Sequence, residues 1–309
     1  MKIRISAVIC TLDRAQYLRK ALRSLVDQTL PREQYEIIVV DNGSTDETAD
    51  MIRDEFTSAE KLCFVREAVL GLSQARNTGW RTAKGEYIAF LDDDAIASPQ
   101  WLETIINVFE TIKPRPGCVG GKVDPIWEAS RPEWLSDTMV PYLTVVSWSD
   151  TPMTMSENQW LAGANMAFPR VLLESAGGFF VGLDRKGRKL LSMGDVQLQR
   201  ELEKRGYRCF YHPAVAVQHH VPASRLTKDW FVRRSFWQGV SDALMQIHRE
   251  SLAASKRIRL GFRVAMSVPL SRRQLFHLIT PTNDPERFAL KCSVIAKIGY
   301  VSGLWGVAK

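Results

Sequence analysis

The first 110 residues alternate short apolar runs with stretches of helical periodicity, and this alternation constrains the fold more than any other feature of the sequence. Such alternation predicts right-handed βαβ units around a mostly parallel sheet, and therefore an α/β fold. The runs are apolar almost throughout, as expected for strands covered by helices on both faces. The predicted strands are Ile5–Cys10, Glu36–Val40, Lys61–Arg66 and Tyr87–Leu91, and the predicted helices cover 15–28, 45–56, 71–83 and a segment opened by Pro99.

Polar or acidic clusters follow three of these strands, at Thr11–Arg14, Asp41–Asp46 and Asp92–Asp94. Ligands of open α/β sheets bind outside the carboxyl ends of the strands, so the clusters predict one shared site. Three consecutive carboxylates repel one another, and Mg²⁺ or Mn²⁺ together with a polyanion would stabilise them. The alternative for Asp92–Asp94 is an acidic turn that caps the next helix. Asp41–Asp46 fits a capping turn or, through Asp41, contact with a base or ribose.

Several classes of protein are disfavoured by motifs that the sequence lacks. It has no G-x-G-x-x-G after the first strand and no G-x-x-x-x-G-K-[ST], which argues against a dinucleotide oxidoreductase and a phosphate-loop NTPase. The five cysteines are widely spaced without C-x-x-C, which favours a reducing compartment over a disulfide framework or a zinc site. The apolar stretch at the N-terminus is too short for a signal peptide, and no apolar run is long enough for a transmembrane helix. We therefore expect a cytoplasmic protein.

The region after residue 110 is less regular and contributes two further candidate groups. Asp195 opens a predicted helix that extends to about Arg205, so it is either a helix cap or a general base held at the helix start. The pair His219–His220 follows a strand-like run at Cys209–Val217. Histidines are commonly structural, but a pair at a strand end beside a proposed metal site is also typical of ligands.

Positive charge is concentrated after residue 220. That part has 15 basic and 5 acidic residues, net +10, whereas the first 220 residues have 26 basic and 29 acidic residues, net −3. Cationic and apolar side chains interleave, which predicts helices on an anionic membrane surface. A helical extension packed on the catalytic domain or on a second subunit is the alternative, and no nucleic-acid motif accompanies the charge. The interleaved segments are Lys256–Leu260, Arg272–Phe276 and Leu290–Val307.

Taken in order, the motifs resemble family-2 glycosyltransferases, which have the GT-A fold. The resemblance covers roughly residues 3–220. It implies a Rossmann-like, mostly parallel central sheet flanked by helices, to which the sequence adds a helical basic C-terminal extension. The motifs are Cys10-Thr11-Leu12-Asp13-Arg14, Asp41-Asn42-Gly43-Ser44, Ala75-Arg76-Asn77-Thr78-Gly79, Phe90-Leu91-Asp92-Asp93-Asp94, Gly163-Ala164-Asn165-Met166-Ala167-Phe168, Gly177-Gly178-Phe179, Gly194-Asp195-Val196-Gln197-Leu198 and Tyr211-His212-Pro213 to His219.

The resemblance implies a role for each site residue. Asp195 would be the catalytic base, and Asp92 and Asp94 would form the D-x-D motif that binds Mn²⁺ or Mg²⁺, with Asp94 the more direct ligand. His219 would approach the metal or the diphosphate, with His220 as the alternative. Where relatives have an acidic residue just before the base, this chain has Gly194. The nucleotide-sugar would contact Thr11, Asp13, Arg14, Asp41, Arg76, Asp92 and Asp93, and the acceptor would contact Gly163 and Asn165. Independently of the resemblance, the aromatic residues between 127 and 160, especially Trp160, are expected to form an acceptor wall, because sugars stack on aromatic rings, and the alternative is that they are ordinary core residues.

The implied reaction is an inverting, metal-dependent, hexosyltransferase-type transfer from a nucleotide-sugar, with a UDP-sugar favoured, to a hydroxyl acceptor. The basic C-terminal region adds the expectation of a glycan or lipid-linked acceptor, in polysaccharide, glycolipid or envelope glycan synthesis, with the enzyme in the cytoplasm or peripherally on the cytoplasmic face of the membrane. We expect a nucleotide-sugar-binding half at 1–110, an acceptor-binding and catalytic half at 111–225, and a helical basic region at 226–309. The alternatives are a sugar-1-phosphate nucleotidyltransferase and a non-catalytic nucleotide- or glycan-binding module.

Overall fold

The computed structural model describes residues 2–57, 59, 61–183, 190–266 and 280–308. The chain divides into two compact units. Unit 1 comprises Met1–Ile126, Thr144–Gly182 and Gly194–His220, and unit 2 comprises Trp127–Leu143, Leu183–Met193 and Val221–Lys309. The three-part division expected along the sequence stays a prediction.

Unit 1 is built on a sheet with the order β3-β2-β1-β4-β8-β6-β9-β5, and β7 pairs with β9. The first four strands pair in parallel, as expected, whereas the pairs β4–β8, β6–β8, β5–β9 and β7–β9 are antiparallel. The strands are β1 (Ile5–Thr11), β2 (Tyr35–Asp41), β3 (Leu62–Arg66), β4 (Tyr87–Asp92), β5 (Ala95–Ala97), β6 (Cys118–Trp127), β7 (Met153–Thr154), β8 (Asn165–Pro169) and β9 (Cys209–Val221).

Helices cover both faces of this sheet. The helices of unit 1 are α1 (Ala15–Val26), α2 (Thr48–Phe56), α3 (Leu72–Thr82), α4 (Trp101–Thr111), α5 (Arg170–Ala176) and α6 (Gly194–Lys204). Alternate residues of the central strands enter two separate hydrophobic clusters: Ile37 packs with residues of α1 and α4, whereas Ile38 packs with residues of α3 and α6. Burial on both faces explains why these strands read as continuous apolar runs.

Gly79 lies within α3, where glycine weakens a helix. A β-carbon at this position would lie 2.4 Å from Val8 Cγ1 and 3.2 Å from Val40 Cγ2. Glycine therefore allows α3 to lie directly on β1 and β2, and it helps to set the height of the helix above the strand ends.

Unit 2 contains helices α7 (Lys228–Glu250), α8 (Ala254–Met266) and α9 (Pro285–Trp305). Helices α7 and α9 make close backbone contact, since a β-carbon on Gly239 would lie 1.8 Å from the carbonyl oxygen of Ala296. The expected helical C-terminal region is thus present. The predicted interfacial segment Leu290–Val307 lies largely in α9, which buries one side in this contact, and the predicted segment Arg272–Phe276 lies outside the described residues. None of the described helices is both long and apolar enough to cross a membrane.

Candidate active site

The acidic cluster lies where β4 turns into β5. Asp92 is the last residue of β4, and the antiparallel pairing of β5 with β9 sets His219 opposite Ala95. This register brings His219 Nε2 to 3.1 Å from Asp94 Oδ1. Asp92, Asp94 and His219 can each offer one ligand atom, and these atoms lie within 4.8 Å of one another. The structure therefore brings together the three residues that the sequence predicts as metal ligands.

The donor set suits a hard divalent cation, because two carboxylates supply oxygen ligands and two negative charges. The second ring nitrogen of His219 bears on whether this residue can bind the cation. Its Nδ1 is buried without a hydrogen-bond partner in the described part of the chain. A cation on Nε2 would place the ring proton on Nδ1, whereas donation from Nε2 to Asp94 would leave the Nδ1 lone pair buried, so Nδ1 is unpaired in either case. Asp92 and Asp94 supply the charged oxygen atoms of the group, and His219 lies where it can be a third ligand or can hold Asp94 in place.

Arg14 and Thr11 hold the third carboxylate of the cluster. Arg14 Nη1 lies 3.1 Å from Asp93 Oδ1 and 2.8 Å from Asp94 Oδ2, and Thr11 Oγ1 donates to Asp93 Oδ2 at 2.9 Å. Burial raises the pKa of Asp93 to about 7, with Asp94 and Asp92 adding to the shift and Arg14 and Thr11 opposing it. Both oxygens of Asp93 are thereby engaged by the protein, so Asp93 fixes the turn that carries its two neighbours.

Arg76 links the acidic cluster to Asp195. It is buried on α3, and its Nη2 donates to Asp92 Oδ1 at 3.0 Å and to the carbonyl oxygen of Gly163 at 3.1 Å. A β-carbon added to Gly163 would lie 2.6 Å from Asp195 Oδ2 and 2.7 Å from Arg76 Nη2. The Asp195 carboxylate and the Arg76 guanidinium therefore both lie against Gly163, which places the candidate base beside the cluster.

The position of Asp195 is compatible with both interpretations of its place in the sequence, a helix cap and a general base. It lies in the first turn of α6, and its Oδ1 accepts a hydrogen bond from the backbone of Val196 at 3.0 Å. That bond stabilises the helix start, while Oδ2 faces Gly163. The preceding Gly194 allows α6 to lie close to α3, because a β-carbon there would be 3.1 Å from Ser73 Oγ. Close packing thus gives a structural reason for glycine at this position.

The predicted nucleotide-binding residues Asp13 and Asp41 organise adjacent loops. Asp41 is the buried last residue of β2, and its Oδ1 accepts from the backbone of Ser44 at 2.8 Å. Asp13 has a positive φ of 52°, and its Oδ1 accepts from the backbone of Thr45 at 2.7 Å. The turn geometry expected as the alternative for Asp41 is therefore present. Asn42, which we did not single out from the sequence, accepts from the backbone of Gly71 at 2.8 Å and ties this loop to the start of α3.

Asn165 lies in the core, away from the surface that its predicted acceptor contact would require. It is fully buried, it donates to the carbonyl oxygens of Lys122 and Val215 at 3.0 and 2.7 Å, and it accepts from Trp101 Nε1 at 2.8 Å. With its amide group engaged by three partners, Asn165 joins β6, β9 and α4. The structure thus favours a structural part for this side chain.

Trp160 and His220 are the two remaining candidates from the sequence. Trp160 is half-buried, its carbonyl oxygen accepts from Trp148 Nε1 at 2.8 Å, and the two rings meet edge to face at 6.3 Å. Both rings also pack against the hydrophobic core. His220 donates its backbone N–H to the carbonyl oxygen of Asp94 at 2.9 Å, and its ring lies against Tyr17. His219 is therefore the histidine whose ring faces the Asp94 carboxylate.

Comparison with known proteins identifies the family. Residues 6–172 match the family described as "Glycosyl transferase family 2". A glucosyl-dolichyl phosphate glucuronosyltransferase of Haloferax volcanii is 30% identical over 249 residues, which are 79% of this chain and 78% of that protein. A validoxylamine A glucosyltransferase of Streptomyces hygroscopicus is 29% identical over 57% of this chain and 46% of its own length.

Solved structures share the fold. A mannosyltransferase from Pyrobaculum calidifontis, in complex with GDP-Man and Mn²⁺, superposes with a TM-score of 0.63 and 21% identity, covering 99% of this chain and 88% of that one. Residues 1–349 of TarS from S. aureus, in complex with UDP-GlcNAc, give a TM-score of 0.58 and 16% identity, covering 98% and 91%. The expected GT-A architecture is confirmed. The chain therefore belongs to glycosyl transferase family 2, and it is an inverting glycosyltransferase that uses this fold.

Proposed function

We propose that this enzyme moves a sugar from a nucleotide-sugar, with a UDP-sugar favoured, to a hydroxyl of a glycan or lipid-linked acceptor, in a reaction that depends on Mn²⁺ or Mg²⁺. The observation that carries the proposal is the placement of Asp195 against Gly163, next to the Arg76–Asp92 ion pair. A base and a cation-binding acidic cluster side by side are what direct displacement of a diphosphate by an alcohol requires.

The loops after β1 and β2 are proposed to form the part of the site that binds the nucleotide-sugar. Asp41 is proposed to contact the base, and Asp13 and Thr11 to shape the pocket around the base and ribose. Arg14 holds positive charge beside Asp93 and Asp94, which makes the strand ends less repulsive to a diphosphate. The solved neighbours support a nucleotide-sugar donor in general, since one contains GDP-Man and another UDP-GlcNAc.

Asp92 and Asp94 would hold the cation. When bound, it neutralises the negative charge that develops on the diphosphate leaving group. His219 keeps Asp94 in place through its 3.1 Å contact, and Arg76 keeps Asp92 in place through its 3.0 Å hydrogen bond. These two contacts fix the carboxylates in advance, so that little reorganisation accompanies the reaction.

Asp195 is proposed to take the proton of the acceptor hydroxyl. As the acceptor oxygen forms its bond to the anomeric carbon, the bond from that carbon to the diphosphate oxygen breaks, and the proton moves to the Asp195 carboxylate. A single displacement inverts the anomeric configuration. Asp195 suits this part because Oδ1 is held by the helix start and Oδ2 remains turned towards Gly163.

A lipid-linked or envelope-glycan acceptor is proposed from two observations. The H. volcanii relative is named for glucosyl-dolichyl phosphate, a lipid-linked sugar. The region after residue 220 carries a net charge of +10, which suits a protein that works peripherally at an anionic cytoplasmic membrane face. Trp160, which is partly buried against the core, is proposed as part of the wall on which the acceptor sugar packs.

The first test measures release of free nucleoside diphosphate from UDP-, GDP- and dTDP-sugars, with and without Mn²⁺. We expect Mn²⁺-stimulated release from at least one donor. Formation of pyrophosphate from a nucleoside triphosphate and a sugar 1-phosphate would instead show a nucleotidyltransferase. Donor binding without release, in the presence of a broad acceptor panel, would show a binding module.

The second test compares Asp195→Asn with Asp229→Asn. Asp229 is an exposed residue in the first turn of α7, so the control makes the same change at another helix start. Loss of the base should lower kcat by roughly 10²-fold or more with donor affinity unchanged, and the control should retain full turnover. Near-normal kcat in Asp195→Asn would reduce this residue to a helix cap.

A further inference from the structure

Helix α8 exposes an apolar stripe that nothing in unit 2 covers among the described residues. Ile258, Phe262 and Met266 are spaced four residues apart and are 49%, 58% and 86% exposed. Residues at this spacing lie on one face of a helix. Scattered exposed apolar side chains are ordinary, but a contiguous stripe is typical of a surface that binds a protein, a membrane or a ligand.

The stripe continues onto α9. The Trp305 ring lies 5.3 Å from the Phe262 ring, and a β-carbon on Gly261 would lie 2.2 Å from Trp305 Nε1. Glycine at 261 thus allows the indole to lie across α8. Ile298, seven residues before Trp305 and therefore on the same side of α9, is 53% exposed. These five residues (Ile258, Phe262, Met266, Ile298 and Trp305) are called the docking face below.

Basic residues border the docking face. Lys256, Arg259 and Arg263 are all exposed, and α8 contains no acidic residue. On the helical wheel, Arg259 and Arg263 follow directly beside Phe262 and Met266, so apolar and cationic strips run in parallel along the helix. The charge pattern favours an anionic partner, and the apolar strip favours one with a hydrophobic interior next to its charges.

An anionic lipid bilayer meets both requirements. A second copy of the chain would bring the same basic strip against itself, which opposes association. Nucleic acid would satisfy the arginines but would leave Ile258, Phe262 and Met266 against water. The 13 residues of α8 span about 20 Å, so the helix suits an orientation parallel to the membrane plane. Trp305 at the edge of the face has the amphipathic ring typical of the membrane interface.

We propose that the docking face inserts into the interface of an anionic membrane, with Lys256, Arg259 and Arg263 on the lipid headgroups. This inference rests on the proposed peripheral location, and it names the residues and the lipid chemistry responsible. The face holds the enzyme reversibly at the bilayer, where a lipid-linked acceptor is presented.

The test uses the full chain and sedimentation with vesicles of phosphatidylcholine containing 30% phosphatidylserine, and with vesicles of phosphatidylcholine alone. We expect binding to the anionic vesicles at low salt, which weakens as salt is raised, and much weaker binding to the neutral ones. Arg259→Gln with Arg263→Gln should lower the partition coefficient about 30-fold, since each basic residue near anionic lipid contributes about fivefold.

A second pair, Phe262→Ser with Met266→Ser, should reduce binding to anionic vesicles to a similar extent. These side chains are already exposed, so the fold should be kept, and circular dichroism with thermal unfolding checks it. The matched control is Val171→Ser with Lys20→Gln, which removes one exposed apolar and one exposed basic residue from unit 1. We expect the control to bind like the parent.

The inference is overturned if the intact chain stays in the supernatant with anionic vesicles at low salt, or if both docking variants bind as tightly as the control. It is also overturned if Phe262→Ser with Met266→Ser dissolves a dimer seen by sedimentation velocity while vesicle binding is unchanged. Release of nucleoside diphosphate in the absence of lipid is measured on the same samples. Release without vesicle binding leaves the proposed reaction intact, and vesicle binding without release contradicts the reaction but not the docking face.

Discussion

Replacing Gly163 with alanine tests the arrangement of the active site through a single methyl group. The added carbon would lie 2.6 Å from Asp195 Oδ2 and 2.7 Å from Arg76 Nη2. Carbon and its neighbours are at equilibrium at about 3.5 Å, so something must move by roughly 1 Å. Arg76 is buried and held by Asp92 and the Gly163 carbonyl oxygen, whereas Asp195 is partly exposed. A shift of Asp195 alone would leave the 2.7 Å contact with Arg76, so we expect both groups to yield, with the Asp195 carboxylate moving further.

A displacement of this size should lower kcat by about 10²-fold, because catalysis is that sensitive to 1 Å errors in the position of a reacting group. Stability should fall by about 1–3 kcal/mol, the usual range for overpacking, because the buried Arg76 must yield as well as Asp195. Gly163 is not among the glycines with positive φ, so alanine adds no backbone strain. The assay is nucleoside diphosphate release with the best donor, combined with urea unfolding and donor titration calorimetry.

Gly177→Ala is the matched control. Gly177 ends α5 with φ of 77°, and a β-carbon there would meet no atom within 4 Å. Backbone strain should cost about 1–2 kcal/mol of stability without a change in kcat. The two variants thus separate loss of geometry from loss of stability. Wild-type kcat in a folded Gly163→Ala enzyme would refute the placement of Asp195 as base.

Four further outcomes are expected. Asp94→Asn should raise the Mn²⁺ concentration needed for half-maximal release at least tenfold, and an unchanged titration would contradict its role as ligand. Trp160→Ala should raise the acceptor KM about tenfold and the donor KM little; equal changes would favour a core role. Asn165→Leu should cost about 3 kcal/mol or more in urea unfolding, because it leaves three buried groups unpaired; a loss below 1 kcal/mol would contradict this. Burial raises the pKa of Asp242 from 3.8 to about 6, so stability from its proton is complete below pH 4 and falls by about 3 kcal/mol as pH rises to 6; Asp242→Asn should abolish that fall, and an unaltered pH profile of unfolding would count against it.

The strands and helices of unit 1 are predicted well from the sequence. The predicted strand Glu36–Val40 is observed as Tyr35–Asp41, and the predicted helix 15–28 as Ala15–Val26. Such elements are set by periodicity and by residues within a few positions, so a single sequence contains the information. The same holds for the clustering of polar residues after β1, β2 and β4, because the carboxyl ends of parallel strands share one edge of the sheet.

Side-chain contacts between residues far apart in the chain cannot be predicted from local sequence patterns. The resemblance places Arg76 in the nucleotide pocket, which stays a prediction, but it gives no sign that the guanidinium donates to Asp92 and to Gly163, 87 residues away along the chain. Asn165 belongs to a motif that suggested acceptor binding, but its amide joins three segments of the core. A polar side chain in a motif gives no local sign of whether its partner is a ligand or the protein.

The sequence by itself determined the α/β alternation, the strand ends that carry Asp41 and Asp92, and the concentration of positive charge after residue 220, because each is a property of neighbouring residues. Tertiary structure alone decided that His219 faces Asp94, since this depends on the register of β5 against β9. It also decided that α9 buries one side on α7 while α8 turns Phe262 and Met266 outward. Helix α8 is amphipathic in sequence, whereas apolar residues are spread around α9, and packing selects which apolar side chains remain exposed.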